Sequence, residues 1–279
     1  MKIIVTHLNP DLDAICSAWL IKKFLPGWNE ARVEFIPQGE TFNNQPVDSN
    51  KNVLHVDTGL GKLDHHQEDG DTCAAKKTWQ YIKHLTFNSK QINAEVIDRM
   101  VVIANDIDHF GEVYWPETEN DRYEFFIERI FDGWKLKYPN EDRRVMEWGF
   151  DCLDGIYQTM LTKVKAEEEL KKGQEFMTKW GKGIGVETVN DEVVKLAQRK
   201  GFKIALRKDP RKGYVRIKTL PDKKIDLTKV YQKLKKLDSE ATWYLHPGKN
   251  MLLNGSTHNP KMRSTSLKLE EIIKIIKST

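Results

Sequence analysis

Three short segments concentrate aspartate and histidine where an apolar run gives out. They read His7-Leu8-Asn9-Pro10-Asp11-Leu12-Asp13, Val53-Leu54-His55-Val56-Asp57-Thr58-Gly59 and Leu63-Asp64-His65-His66-Gln67. A fourth, Asn105-Asp106-Ile107-Asp108-His109, follows the apolar residues 100–104. Carboxylates are hard oxygen donors and one can serve two cations, while neutral imidazole shifts preference from Mg2+ or Ca2+ toward Mn2+ and its neighbours. Two such cations side by side are the usual clamp for attack of water on phosphorus. Without cations, so many clustered carboxylates would repel one another and rise in pKa. Each segment alone has a plainer reading. Asn9-Pro10-Asp11 is turn chemistry, Asp13 a helix cap and Asp57-Thr58-Gly59 a strand exit. His65-His66 can be a loop, and Asp106 and Asp108 exposed charges. Four such segments in the first 109 residues are better explained by one crevice.

A crevice requires elements that end together. Residues 2–6 read as a buried strand, broken by the turn at 7–11. Asp13 then stands as N-cap before helical apolar spacing at 14–21, which Pro26-Gly27 closes. Residues 32–37 and 52–56 read as two further strands, and 73–85 and 89–104 as helices. This succession predicts an open α/β sheet, in which ligands bind beyond the carboxyl ends of the strands. Residues 122–180 are mostly helical and charged, and 163–182 form a candidate connector. Gly181-Lys182-Gly183-Ile184-Gly185 reads as its stop or hinge, with a phosphate cradle the sharper alternative. Strands at 202–207, 214–219 and 242–245 and helices at 227–237 and 267–276 make a second α/β unit.

The 279 residues predict two domains rather than one core. With 39% hydrophobic and 31% charged residues the chain reads as globular and soluble, with no apolar run long enough for a membrane helix. The N-terminus turns polar too soon for a signal-peptide core. Cys16, Cys73 and Cys152 show neither metal-finger nor disulfide spacing, which predicts a cytoplasmic protein with the cysteines in the core. Residues 1–150 carry 17 Lys and Arg against 25 Asp and Glu, and the remainder 28 against 16. An acidic half suits cations and a basic half an anion, although ordinary solvated faces would look the same.

The string His7-x-Asn9-Pro10-Asp11-x-Asp13-Ala14, followed by Asp57 and then Asp64-His65-His66, resembles the DHH phosphoesterase superfamily. That superfamily includes RecJ-type exonucleases, oligoribonucleases, cyclic dinucleotide phosphodiesterases and family II inorganic pyrophosphatases. The resemblance implies a parallel-sheet DHH-type domain over residues 1–160, a helical connector at 161–183 and a smaller substrate-binding α/β domain at 184–279, with the catalytic cleft between the domains. It also implies two divalent cations, Mn2+ ahead of Mg2+. One is held by His7, Asp11 and Asp57. The other is held by Asp13, Asp57, His65 and a fourth-motif aspartate. Asp106 fits that place as the one nearest the apolar run, with Asp108 the alternative. His66 would then face the substrate phosphate, Asp64 would orient a ligand histidine, and His55 and His109 would be structural.

The middle region is similar to the MYG1-type branch in its Asp64-His65-His66-Gln67 ending, its Asp106-x-Asp108 pair and the helical insert that follows. The aromatic residues of that insert, Phe125, Phe126, Trp134 and Trp148, read as core. Where the family carries Gly-Gly-Gly-His, this chain has Leu253-Asn254-Gly255-Ser256-Thr257-His258-Asn259-Pro260-Lys261-Met262-Arg263-Ser264. His258, Lys261, Arg263 and Ser264 are the candidate substrate contacts there, and Arg263 joins His66 and Asp57 as a catalytic candidate. A surface loop is the plainer reading. The resemblance favours phosphodiester cleavage in a nucleotide or short oligonucleotide. Inorganic pyrophosphate is the enzymatic alternative, and a catalytically silent nucleotide-binding module the non-enzymatic one. Long nucleic acid is disfavoured, because the basic residues are dispersed and no aromatic-interleaved stripe accompanies them. No membrane partner is expected, and a homodimer stays open.

Overall fold

The computed structural model describes residues 1–86, 92–256, 259 and 261–279. The chain divides into two compact units, residues 1–160 and 161–279.

The first unit opens with β1 (Ile3–His7), α1 (Leu12–Phe24), β2 (Arg32–Ile36) and β3 (Val53–His55). The three strands form a parallel sheet in the order β2-β1-β3, with Ile3 opposite Val53 and Val5 opposite His55. Residues 12–21 of α1 are buried without a break. This helix is therefore covered on all sides, which its nearly uniform apolar sequence permits. It packs against α2 (Ala74–Leu85) and α3 (Ala94–Asp108). Its N-cap is Asp11, whose side chain accepts from the Ala14 N–H, and not Asp13 as expected. Helix α3 runs one turn beyond the expected end at Ala104. The apolar pattern stops there, but nothing in Asn105-Asp106-Ile107-Asp108 breaks a helix. Short 3-10 turns at Gly111–Tyr114 and Asp121–Phe125 lead to α4 (Ile127–Lys137) and α5 (Asp142–Lys171).

The aromatic insert is core only in part. Phe131 is buried and Trp134 stacks on Trp148 at 4.5 Å, but Phe125 is 81% exposed and Phe126 also reaches solvent. Gly149 lets α5 lie close on α1, since a Cβ there would stand 2.6 Å from Ile15 Cγ2.

The second unit holds β4 (Gln174–Thr178), β5 (Gly181–Glu187), α6 (Glu192–Arg199), β6 (Ile204–Lys208) and β7 (Val215–Thr219). It continues with α7 (Thr228–Leu237), β8 (Trp243–Leu245), β9 (Met251–Asn254) and α8 (Leu269–Lys277). Its sheet runs β4-β5-β6-β7-β9-β8 and is mixed, with only β5 and β6 parallel. One face packs Leu206, Ile217 and Leu252 with α7 and α8, and the other packs Ile184, Val186 and Ala205 with α6.

The expected connector at 161–183 is helical only as far as Lys171. The Gly181–Gly185 run is neither hinge nor phosphate cradle but part of β5. Its glycines make room: a Cβ on Gly183 would meet Phe176 and Ile204 at 2.7 Å, and one on Gly185 would meet Ile273 at 2.8 Å. No helix among the described residues is long and apolar enough to cross a membrane.

Candidate metal centre

Strand register explains why the first two motifs meet. The backbone continues the β1–β3 ladder past His55, with the Val56 N–H donating to Val5 O at 2.8 Å. His7 and Asp57 therefore leave adjacent strands side by side, at the carboxyl edge where open α/β sheets bind ligands. Asp57 turns there with a φ of 54°, and its N–H donates to Leu63 O, which brings the third motif back against the second.

Asp57 lies between two imidazoles. Its Oδ2 is 3.2 Å from His7 Nε2 and its Oδ1 is 3.4 Å from His65 Nε2. His7 Nε2 is also 3.9 Å from Asp11 Oδ2. On the other side, His65 Nε2 is 3.8 Å from Asp13 Oδ2 and 3.7 Å from Asp108 Oδ2. Helix ends hold two of these carboxylates. Asp11 caps α1, and both oxygens of the buried Asp13 accept 2.7 Å hydrogen bonds from the Ala74 and Ala75 N–H groups that open α2. Carboxylates at helix N-termini satisfy free N–H groups and meet the positive end of the helix dipole.

Of the two fourth-segment aspartates, Asp108 and not the expected Asp106 is the one gathered with His65 and Asp13. Residues two apart on a helix lie on different faces, while residues four apart share one. Asp108 thus follows the buried Ala104 inward. Asp106 accepts from Trp115 Nε1 at 2.7 Å and packs against Gly111, which ties the first 3-10 turn to α3. Asp64 is also differently placed. Its Oδ1 contacts His66 Nδ1 at 2.7 Å and its Oδ2 accepts from the Leu60 N–H, so it orients His66 and the turn rather than His7 or His65. His66 Nδ1 is 3.7 Å from Asp57 Oδ1.

The electrostatics are those of a site short of positive charge. Burial, with Asp57 close by, pushes Asp11 up. Burial together with Asp57, Asp108 and Asp11 pushes Asp13 well up. Burial raises Asp108 as well. Burial alone would raise Asp57, but the imidazoles of His65 and His7 hold it below the usual carboxylate range. Burial opposes charge on His7, yet its hydrogen bond to Asp57 and the charges of Asp11 and Asp57 raise it to about 9. Contact with Asp57 raises His65 to about 9 against its burial.

Among the described residues, Asp57 Oδ1 and His65 Nε2 are both buried without a hydrogen-bond partner. The donor set fits divalent cations. Three groups have donor atoms within 4.8 Å of one another: His7, Asp11 and Asp57; Asp13, His65 and Asp108; and Asp57, His65 and His66, so His66 can also face a cation. Adjacent ligand atoms ~2.1 Å from a shared cation lie ~3.0–3.4 Å apart; the 3.2 and 3.4 Å contacts of Asp57 fall in that range, and the 3.7–3.9 Å contacts of Asp108, Asp13 and Asp11 exceed it.

Other candidates fall outside this cluster. The His55 Nε2 accepts from the Phe42 N–H, and burial holds this imidazole low. His109 Nδ1 contacts Asn105 O at 2.9 Å but also lies 3.6 Å from Asp108 Oδ2 at the rim. Arg263 and Ser264 are exposed in the second unit, where Arg263 pairs with Glu240 at 3.2 Å and Lys261 is exposed beside them. His258 lies outside the described residues. The buried Asn254 pins this segment by donating to Thr242 O and Arg263 O and accepting from the Thr265 N–H.

Two further residues reach the site without belonging to any of the four motifs. Gln38 Nε2 donates to Asp57 O and lies 3.4 Å from His66 Nε2. It follows β2, so the strand-end rule that found the other motifs applies to it too. Lys135 of α4 draws Asp11 down electrostatically, and no local sequence signal marks it.

No family model matches this sequence, and no curated protein matches it. Solved structures do. The crystal structure of RecJ in complex with Mg2+ from Thermus thermophilus is 12% identical with a TM-score of 0.34, covering 99% of this chain and 49% of that one. The DHH domain of a member of a family of ribosomal proteins is 9% identical with a TM-score of 0.33, covering 99% of this chain and 86% of that one. The chain thus spans about half the length of that RecJ structure. Both likenesses are slight, and neither bears on activity. The chain itself shows a mixed α/β fold whose Asp and His motifs converge beside the ends of β1 and β3. Its gathered Asp and His side chains could hold metal ions.

Proposed function

We propose that this chain is a metal-dependent phosphohydrolase that cleaves a phosphodiester bond in a nucleotide or short oligonucleotide, using two divalent cations with Mn2+ preferred to Mg2+. The observation that carries this reading is Asp57, whose two carboxylate oxygens face His7 on one side and His65 on the other. On this reading His7, Asp11 and Asp57 hold one cation, and Asp13, Asp57, His65 and Asp108 hold the second. When bound, the cations supply Lewis acidity that lowers the pKa of a water and offsets charge on phosphoryl oxygens.

The chain's own side chains do the rest. Asp11 and Asp13 present carboxylates already aimed by the helix ends they cap. Asp64 engages His66 Nδ1 and so turns Nε2 away from it, to meet a phosphoryl or leaving oxygen in place of the Gln38 amide that lies 3.4 Å from it. Lys261, Arg263, Ser264 and His258 are the proposed substrate contacts. The Arg263–Glu240 pair is exposed, so exchanging Glu240 for a phosphate costs Arg263 little.

Hydrolysis of pyrophosphate, a dinucleotide, a cyclic dinucleotide, single-stranded RNA and single-stranded DNA, each with Mn2+ and with Mg2+, tests this reading. Turnover of the short nucleotide substrates ahead of pyrophosphate is expected. Fastest turnover of pyrophosphate would make the enzyme a phosphoanhydride hydrolase. No turnover of any substrate by metal-loaded protein would make it a silent nucleotide-binding module.

A further inference from the structure

The second unit has a cavity of about 610 Å3 at the end of its sheet where β7 finishes and β9 begins. Four groups that can donate to an anion line it: Lys195 and Arg199 from α6, Lys218 from β7 and His246 from the turn before β9. Among the described residues no carboxylate lines it. Glu192 approaches Lys195 at 3.3 Å and Arg199 at 3.4 Å, and so offsets one of their charges. Lys218 makes no ion pair among the described residues, and the neighbouring Arg216 is engaged by Asp191 at 2.6 Å. Burial, with Arg216 and Lys195 nearby, holds the Lys218 ammonium below the usual lysine range. An anion in the cavity would relieve that repulsion.

His246 is set up to donate. Its Nδ1 accepts from the Gly248 N–H at 3.1 Å, so in the neutral ring the proton sits on Nε2. Gln198 is fixed by donating to Thr219 O at 2.6 Å, and Leu220 and Met251 supply apolar wall. Three cationic groups, a polarised imidazole donor and an apolar wall match a phosphate group on a small organic body better than a bare halide or a peptide carboxylate.

This cavity is separate from the Asn254–Arg263 segment. Lys218 pairs with Met251 in register, and Val215 pairs with Asn254, so the cavity and that segment lie at opposite ends of the β7–β9 pair. Three residues of strand span ~10 Å. All the lining residues belong to the second unit, and nothing here depends on the metal centre.

We propose that Lys195, Arg199, Lys218 and His246 form a second anion site that takes the phosphate group of a phosphate-bearing small molecule, with Lys218 its central ligand. The test is calorimetric titration of the full chain in EDTA, first with inorganic phosphate and then with a 5′-phosphorylated dinucleotide. Saturable phosphate binding is expected, weakening with salt and falling at least about tenfold in Lys218→Gln and in Lys195→Gln at unchanged melting temperature. Arg263→Gln should leave it intact. If the dinucleotide displaces phosphate, the phosphate comes from a nucleotide; if it does not, free phosphate is the ligand. No saturable binding, or binding kept in Lys218→Gln and lost in Arg263→Gln, overturns the second site. Because the metal is removed, failure of the proposed hydrolytic activity would not affect this result.

Discussion

Asp57 holds a left-handed backbone conformation at the position where two imidazoles approach its two oxygens. Such a φ is uncommon outside glycine, asparagine and aspartate, so few residues combine that turn with a carboxylate. The charges around it make a pH prediction. In metal-free protein His7 and His65 titrate at about 9. Their contribution to stability is full below the unfolded value of about 6.5 and is lost as pH rises through about 9. Asp11, Asp13 and Asp108, also raised, act in the same direction from a lower pH. Asp57, lowered, acts oppositely, and its contribution is lost only as pH falls below the usual carboxylate range. The metal-free protein should therefore melt at progressively lower temperature from pH 6.5 to 9, and saturating Mn2+ should flatten that slope. A melting curve that rises over this interval contradicts the assignment. Asp106 and Asp108 make a paired test at the same scale. Asp108→Ala should weaken Mn2+ binding about 10- to 100-fold, a range that even outer partners of a ligand reach. Asp106→Ala should leave Mn2+ binding alone and cost about 1 kcal/mol through the unpaired Trp115 N–H. Calorimetry on both variants decides between the two positions.

The elements position these side chains mainly through their ends. Asp13 was expected to cap α1, but Asp11 does that and Asp13 closes the start of α2. Asp13→Ala should accordingly lower the stability of metal-free protein by about 1–2 kcal/mol, measured by urea unfolding in EDTA. An unchanged midpoint would mean that the two backbone contacts carry no weight. Helix packing gives a second test. Gly149→Ala would gain about 1 kcal/mol of helix propensity but must displace the buried Ile15, and overpacking of that kind costs about 1–3 kcal/mol. Net destabilisation is expected in the same unfolding assay. The legible elements were those with an apolar rhythm and a clear stop, such as β1, β2, β3 and α2. The end of α3 was hidden because its last turn is polar, and this is why Asp106 looked nearer to the site than Asp108. Strands β4 and β5 were hidden because Gly181, Gly183 and Gly185 resemble a hinge. Their smallness serves Phe176, Ile204 and Ile273, which are neighbours only in the fold.

For the molecule as a whole, the sequence shows an acidic first half and a basic second half, and the structure assigns the Asp and His cluster to the first unit and the Lys218 cavity to the second. Motif order was legible because the first, second and fourth motifs follow or end a strand or helix, while the third lies in the loop between β3 and α2 and is tied back by the Asp57 N–H to Leu63 O. The substrate was less legible because Asn254–Arg263 departs from the Gly-Gly-Gly-His signature of the superfamily the motifs resemble. The cations of the Lys218 cavity come from α6 and β7 and its imidazole from the turn before β9, three stretches that no local pattern links. The central claim, two cations sharing Asp57, is tested most directly by the stoichiometry of Mn2+ binding. Wild-type protein and Asp57→Asn, which keeps a side chain tolerant of the left-handed turn, are loaded, dialysed and analysed for metal. Two Mn2+ per chain are expected in the wild type and at most one, weakly held, in Asp57→Asn. A single ion in the wild type, or two retained in the variant, would contradict it.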